Sequence, residues 1–242
     1  MSTEKIKPGE VIGSALEIYR EQASVLLPAA VAVFAIVALA GLVFTGGAAT
    51  LVSLIALVVG VFYQGMVVEL VRDIQDGRRD SSVEQLFRSV SPIVLPLIGL
   101  SILLGIGVGI GFILIIVPGL FLMTIWSVAA PSLVIERRGV FAAFGRSREL
   151  VRGHGWQVFG VILVVIALSI VVSIIVAILA SGLGTVGIAI AQWILDIVLA
   201  PFTALIGAVL YFSLRRLHGE STLTGESSVT EPPIDGSPSA FG

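Results

Sequence analysis

Apolar residues run along this chain in blocks much longer than a soluble helix or strand requires, and the polar residues collect between the blocks. About 20 apolar residues in helical conformation cross roughly 30 Å of hydrocarbon. Six stretches reach that length or approach it: 24–44, 48–71, 92–116, 118–135, 156–180 and 186–213. The third and fourth form one unbroken apolar run, too long for a single helix at about 1.5 Å per residue. Val117-Pro118-Gly119 carries the turn chemistry that predicts a tight hairpin there. The pattern predicts an all-α protein, a transmembrane bundle of six helices. The runs are continuous rather than alternating, which excludes a bacterial-type β-barrel.

Shorter amphipathic segments lie between the spans. Val83, Leu86, Phe87 and Val90 recur at helical spacing, and Ser81-Ser82-Val83-Glu84 has the spacing of a capping box. Val140, Phe144, Ser147 and Val151 line one side of a second segment, with Arg148 and Arg152 pointing elsewhere. Residues 11–21 repeat the theme, with Ile12, Leu16 and Tyr19 on one side. Each segment reads either as a cationic interfacial helix or as a solvated helix packed on the bundle. Each precedes two spans, so three helix-plus-hairpin units are expected. The expected organisation is an N-terminal segment 1–23, a membrane domain 24–218 and a tail 219–242. The tail is rich in Gly, Ser, Thr, Pro and acids, and it is expected to be disordered.

Charge turns this pattern into a topology. All 14 Lys and Arg precede span one, follow span six, or lie between spans two and three or four and five. The opposite connections, 45–47, 117–118 and 181–185, carry none. The positive-inside rule then predicts a multi-pass protein of the cell membrane with both termini in the cytoplasm. Residues 1–22 are charged, with no apolar run before a cleavage site, so no signal peptide is expected. Composition agrees: 57% of residues are hydrophobic and only 12% charged, with a mean hydropathy of +1.09. A soluble chain carries about twice that charge. The net charge of −2 argues against a nucleic-acid binder. Zero cysteines exclude disulfides, thiolate metal sites and thiol nucleophiles.

Asp196 stands apart as the one formal charge deep in a span. An ionised carboxylate there costs roughly 2.5–3.5 kcal/mol, so it is expected to face the bundle interior or be protonated. Ala189, Gln192, Asp196, Ala200, Thr203 and Gly207 form a small-and-polar stripe around it. Gln64 lies on a comparable stripe in span two, and Ser169, Ser173 and Ser181 on one in span five. Such stripes read either as a polar pathway or as close helix packing. Gly105, Gly107, Gly109 and Gly111 form two G-x-x-x-G pairs, expected to serve packing rather than phosphate binding. Pro96 and Pro201 are placed to kink their helices. Trp156 fits an interfacial anchor, and Trp126 and Trp193 fit packing positions. His154 and His218 are far apart in sequence, and no metal-ligand or catalytic motif is present, so neither a cofactor nor enzymatic activity is expected.

One group of residues resembles a known family. Ile116-Val117-Pro118-Gly119, Trp126, Pro131, Glu136, Gly139, Arg146-Ser147, Leu150-Val151-Arg152-Gly153 and Trp156 are similar to the membrane domain fused to some bacterial glycerophosphoryl diester phosphodiesterases and its stand-alone relatives. Asp73-Ile74-Gln75-Asp76-Gly77-Arg78 and Leu210-Tyr211-Phe212 also fit. The resemblance implies a shared cytoplasmic element made of Glu136, Gly139, Arg146 and Ser147. It implies no phosphodiesterase activity, because the catalytic motifs belong to a separate domain with no counterpart here. A direct Glu136–Arg146 pair would need a bend near Gly139.

The first functional expectation is a non-catalytic scaffold or lipid- or partner-binding module. Its headgroup candidates are Arg137, Arg138, Arg146, Arg148 and Arg152, and its partners are anionic lipid, another protein or a second copy. The alternative is a small transporter or channel using Asp196, Gln192, Gln64 and Thr203.

Overall fold

The computed structural model describes residues 7–43, 49–78 and 82–219, and among them it contains helices and turns but no strand. In chain order the helices are α1 Pro8–Glu21, α2 Ala23–Val43, α3 Ala49–Gln75, α4 Val83–Val90 and α5 Val94–Leu114. They continue with α6 Ile116–Ile125, α7 Ala129–Glu136, α8 Val140–Val151, α9 Gly155–Ala180 and α10 Gly184–Leu217. Six apolar stretches are long enough to cross a membrane: Ala23–Ala40, Thr50–Gln75, Val83–Leu114, Ile116–Glu136, Gly155–Leu183 and Ile190–Leu217. This is an all-α, multi-pass membrane architecture. The turn at 45–47, Ser81 and the tail beyond Gly219 lie outside the described residues.

Helices α1, α4 and α8 are the three short amphipathic segments; α1 and α8 each precede two long apolar helices, whereas α4 precedes α5 and then the expected fourth span, which is split at 126–128 into the short helices α6 and α7. The capping box of α4 sits one residue later than the sequence pattern places it. Ser82 Oγ accepts from the backbone N–H of Gln85, and Gln85 Oε1 accepts from the N–H of Ser82. Glu84 instead pairs with Arg88 at 2.7 Å. In α1 the buried positions are Val11 and Ala15, while Leu16 is exposed. The expected Ile12–Leu16–Tyr19 face therefore lies beside the buried one. Small Ala15 permits the close approach to α10, and the Tyr19 hydroxyl donates to Val198 O at 3.4 Å. Burial raises the pKa of the Tyr19 phenol.

The hairpin between α5 and α6 turns earlier than Pro118 suggests. Ile115 is the single extended residue at the break, with φ −163° and ψ 150°. Pro118 is the third residue of α6, where a missing N–H costs no intrahelical bond. What sets the tightness is glycine on both sides. A Cβ on Gly111 would sit 2.9 Å from the Gly119 Cα, and one on Gly119 would meet the Phe112 ring at 2.6 Å. Of the two expected glycine pairs only 107/111 packs, with Gly107 against the Trp126 ring. Gly105 and Gly109 meet nothing within 4 Å. Gly111→Ala should thus destabilise the fold by about 1–3 kcal/mol through overpacking. Gly105→Ala should be neutral or stabilising by about 0.5–1 kcal/mol. Thermal melts in detergent compare the two directly.

The core runs through Leu26, Tyr63, Val67, Leu97, Leu133, Leu205 and Tyr211, all nearly inaccessible. Tyr63 donates to Leu26 O at 3.1 Å and Trp193 to Phe34 O at 3.1 Å, tying α2 to α3 and α10. Helix α7 is the most enclosed element, buried from Ala129 through Val134. The long helices α5 and α9 stay largely exposed on apolar side chains, as lipid-facing helices do. Pro96 is the third residue of α5 and Pro201 lies inside a continuous α10, so neither interrupts its helix.

Candidate functional site at the charged helix ends

The end of α7 positions two carboxylate clusters, one on half-buried Glu136 and one on buried Glu69. Arg137 follows α7 with φ 53°, a left-handed conformation that stops the helix, and Gly139 begins α8 in the reverse direction. This is the bend that a Glu136–Arg146 pair requires. Arg146 Nε donates to Glu136 Oε1 at 2.8 Å, and the Tyr211 hydroxyl donates to the same oxygen at 2.9 Å. Arg138 Nε lies 3.0 Å from Glu136 Oε2 without hydrogen-bond alignment, so that contact is Coulombic. Arg146 also reaches Glu149 at 3.1 Å. The first cluster thereby joins α7, α8 and α10.

Arg137 itself turns to the other side. Its guanidinium pairs with Glu69, whose side chain is only 4% exposed, and donates to the backbone oxygen of Ser89 at 2.9 Å. The Ser89 hydroxyl donates to Glu69 Oε1 and accepts from Arg137, both at 3.1 Å. Arg72 adds a 3.5 Å contact from the next turn of α3. This second cluster links α3, the end of α4 and the end of α7. A third link is Ser147, which donates to Ile125 O at 2.8 Å and accepts from Val128 N at 3.3 Å. It closes the turn between α6 and α7.

These contacts divide the expected headgroup candidates. Arg137 and Arg146 are engaged by carboxylates, Arg137 by Glu69 and Arg146 by Glu136, an arrangement set by the αL stop at Arg137 and the turn at Gly139. Arg138 is split between Glu136 and solvent, with 58% of its side chain exposed. Arg148 and Arg152 are exposed, and among the described residues neither has an acidic partner. Arg148 shares one face of α8 with Phe141 and Gly145, at steps of three and four residues, and Arg152 follows as the residue that ends the helix, with ψ 127°. Phe141 is 78% exposed and Trp156, at the start of α9, is 86% exposed.

The intramembrane candidates do not assemble into an interior pathway. Leu195, Ile197, Ala204, Leu205 and Ala208 occupy the buried side of α10. Adjacent residues differ by about 100° around a helix, so the Asp196 stripe is rotated away from that side. Gln192 and Thr203 are exposed, and Asp196 and Gln64 are half-buried. Gln192 Nε2 donates to Asp196 at 3.1 Å, and Thr203 donates back to its own helix. The two histidines do approach, with ring centroids 5.9 Å apart, which sequence distance had concealed. Among the described residues no group of three His, Asp or Glu side chains is placed to hold a metal ion.

Glu69, Ser89 and Tyr211 escaped sequence reasoning as site residues. Glu69 ends an apolar run and has Arg72 three residues on, which reads as an ordinary surface pair. Its main charge partner, Arg137, lies 68 residues away.

Apolar spanning helices joined at one set of ends by charged short helices define an integral, multi-pass membrane protein. The chain is similar to a UPF0259 membrane protein of Pectobacterium carotovorum, 29% identical over 163 residues, a match covering 67% of this chain. The match covers 62% of that relative's own length. No family model and no solved structure matches, so the phosphodiesterase membrane-domain resemblance gains no support from these comparisons.

Proposed function

We propose that this protein is a non-catalytic membrane scaffold that binds anionic phospholipid at its charged helix ends, with those ends facing the cytoplasm of a cell membrane. The observation that carries this reading is the exposed group of Phe141, Arg148 and Arg152 beside Trp156. An aromatic and basic face of this kind suits a surface of anionic headgroups. The phosphodiesterase-like pattern fits the same reading in a limited way. Its Glu136, Arg146 and Ser147 hold the platform together, and no phosphodiesterase chemistry is assigned to them. A transport function has less support, because the Asp196 stripe is turned outward.

The test uses vesicles containing both phosphatidylglycerol and phosphatidylcholine, one of the two brominated. Brominated phosphatidylglycerol should quench the exposed tryptophan several-fold more than brominated phosphatidylcholine. Arg148→Gln with Arg152→Gln should bring the ratio to about one, given about 1 kcal/mol per basic residue at an anionic surface. Equal quenching in the parent protein would sink the proposal. Orientation is tested separately: Gly182→Cys should resist labelling from the cytoplasmic side and react from the other.

A further inference from the structure

A groove lies between α6 and the start of α9, next to Arg148 and Arg152. Its larger part is a cavity of about 900 Å³ lined mainly by apolar side chains, among them Leu120, Phe121, Trp156 and Phe159. A second cavity of about 570 Å³ adjoins it and is lined by Arg148 and Arg152. Both share Phe121, Ile125, Gly153 and Gly155, so they form one groove with an apolar floor and a basic mouth. Gly153, at φ +88°, carries the chain through the junction in a conformation that suits glycine. Two residues lining the larger part hold buried polar atoms without hydrogen-bond partners, His154 Nδ1 and Gln157 Oε1. Glu149 also lines the mouth, and its carboxylate is engaged by Arg146 at 3.1 Å.

We propose that this groove holds one anionic phospholipid, with an acyl chain between α6 and α9 and its phosphate at Arg148 and Arg152. The proposal rests on the lipid-binding reading above and narrows it from a surface to a single seat. An acyl chain matches the apolar floor, and a phosphodiester matches the two arginines that, among the described residues, lack acidic partners. An ester carbonyl at the junction would accept from His154 Nδ1 in the tautomer that protonates it, and a hydroxyl of the phosphatidylglycerol headgroup would donate to Gln157 Oε1. A free phosphate would leave the floor unfilled. A peptide would bring backbone polar groups into an apolar cleft.

Retained lipid on the detergent-purified full chain can be counted by native mass spectrometry, titrating phosphatidylglycerol or phosphatidylcholine with identical acyl chains. The parent should hold one phosphatidylglycerol about tenfold more tightly than phosphatidylcholine. Arg148→Gln with Arg152→Gln should reduce phosphatidylglycerol to the level of phosphatidylcholine. Gly155→Phe should remove both, because a Cβ there meets nothing within 4 Å and the ring would occupy the groove. If that variant misfolds by circular dichroism, Gly145→Leu fills the adjoining cavity from an equally open position. A folded groove-filling variant with the parent's affinity overturns the single-seat proposal and leaves the surface reading standing. A parent that does not distinguish the two lipids overturns both.

Discussion

Arg146→Met should destabilise the protein by about 3–5 kcal/mol, the cost of leaving a buried carboxylate without its charge partner. Only 9% of the Arg146 side chain and 12% of the Glu136 side chain are exposed, so water replaces the lost guanidinium poorly. The Tyr211 hydroxyl would remain at 2.9 Å, and Arg138 would remain near the second oxygen. Those contacts place the loss toward the lower end of the range. Adding Glu136→Gln to Arg146→Met should recover part of it, because the double variant no longer buries an unpaired charge. Unfolding followed by circular dichroism in mixed micelles measures all three proteins. A single variant as stable as the parent would show that the pair is not structural.

The second large effect is expected at Arg137. Arg137→Met removes the main charge partner of Glu69 and the donor to the backbone oxygen of Ser89. The Glu69 side chain is the more deeply enclosed carboxylate, at 4% exposure, so the cost should also be about 3–5 kcal/mol. Arg72 is the weaker partner because its single contact with Glu69 is long, at 3.5 Å, and it makes no bond to Ser89. Arg137→Gly separates side chain from backbone. Glycine relieves a left-handed conformation that costs other residues about 1–2 kcal/mol, yet it cannot pair with Glu69. It should therefore be less damaging than Arg137→Met and still clearly destabilised. Ser89→Ala should lose only about 1 kcal/mol, the ordinary net worth of a hydrogen bond. If Arg137→Gly matched the parent, Glu69 would not depend on the guanidinium.

The long elements were legible in the sequence for a simple reason. A span must be apolar over about 20 residues wherever it sits in the bundle, so 156–180 and Gly155–Ala180 agree to within one residue. The direction each span faces was less legible. Lipid is as apolar as a helix interface, so no contrast in hydrophobicity distinguishes the two sides of α10. The Asp196 stripe was a genuine helical stripe, and sequence could not tell whether it looked in or out. The break between α5 and α6 was misplaced at Pro118 for a related reason. Proline is tolerated in a first helical turn, so it marks a boundary only to within a few residues.

The charged ends show the same limit from the other side. Arg137, Arg138, Arg146, Arg148 and Arg152 are equivalent as a cluster of positive charge, and composition gives no means to sort them. The sorting comes from backbone geometry, namely the left-handed stop at Arg137 and the reversal at Gly139. Those two turns send Arg137 to Glu69 and Arg146 to Glu136, and leave Arg148 and Arg152 outside. Glu69 and Tyr211 remained hidden because their partners are distant in sequence. Ser147 closes the α6–α7 turn through bonds to Ile125 and Val128, a task its place in the sequence does not show.

The arginines of α8 and its approach thus divide into those paired with Glu69 or Glu136 and the exposed pair, Arg148 and Arg152, that we propose binds lipid. Tryptophan quenching by brominated phosphatidylglycerol relative to brominated phosphatidylcholine tests that division most directly, measured on Arg148→Gln with Arg152→Gln. The quenching ratio should fall to about one while stability stays within about 0.5 kcal/mol of the parent, as for surface substitutions. A ratio unchanged from the parent would contradict the account.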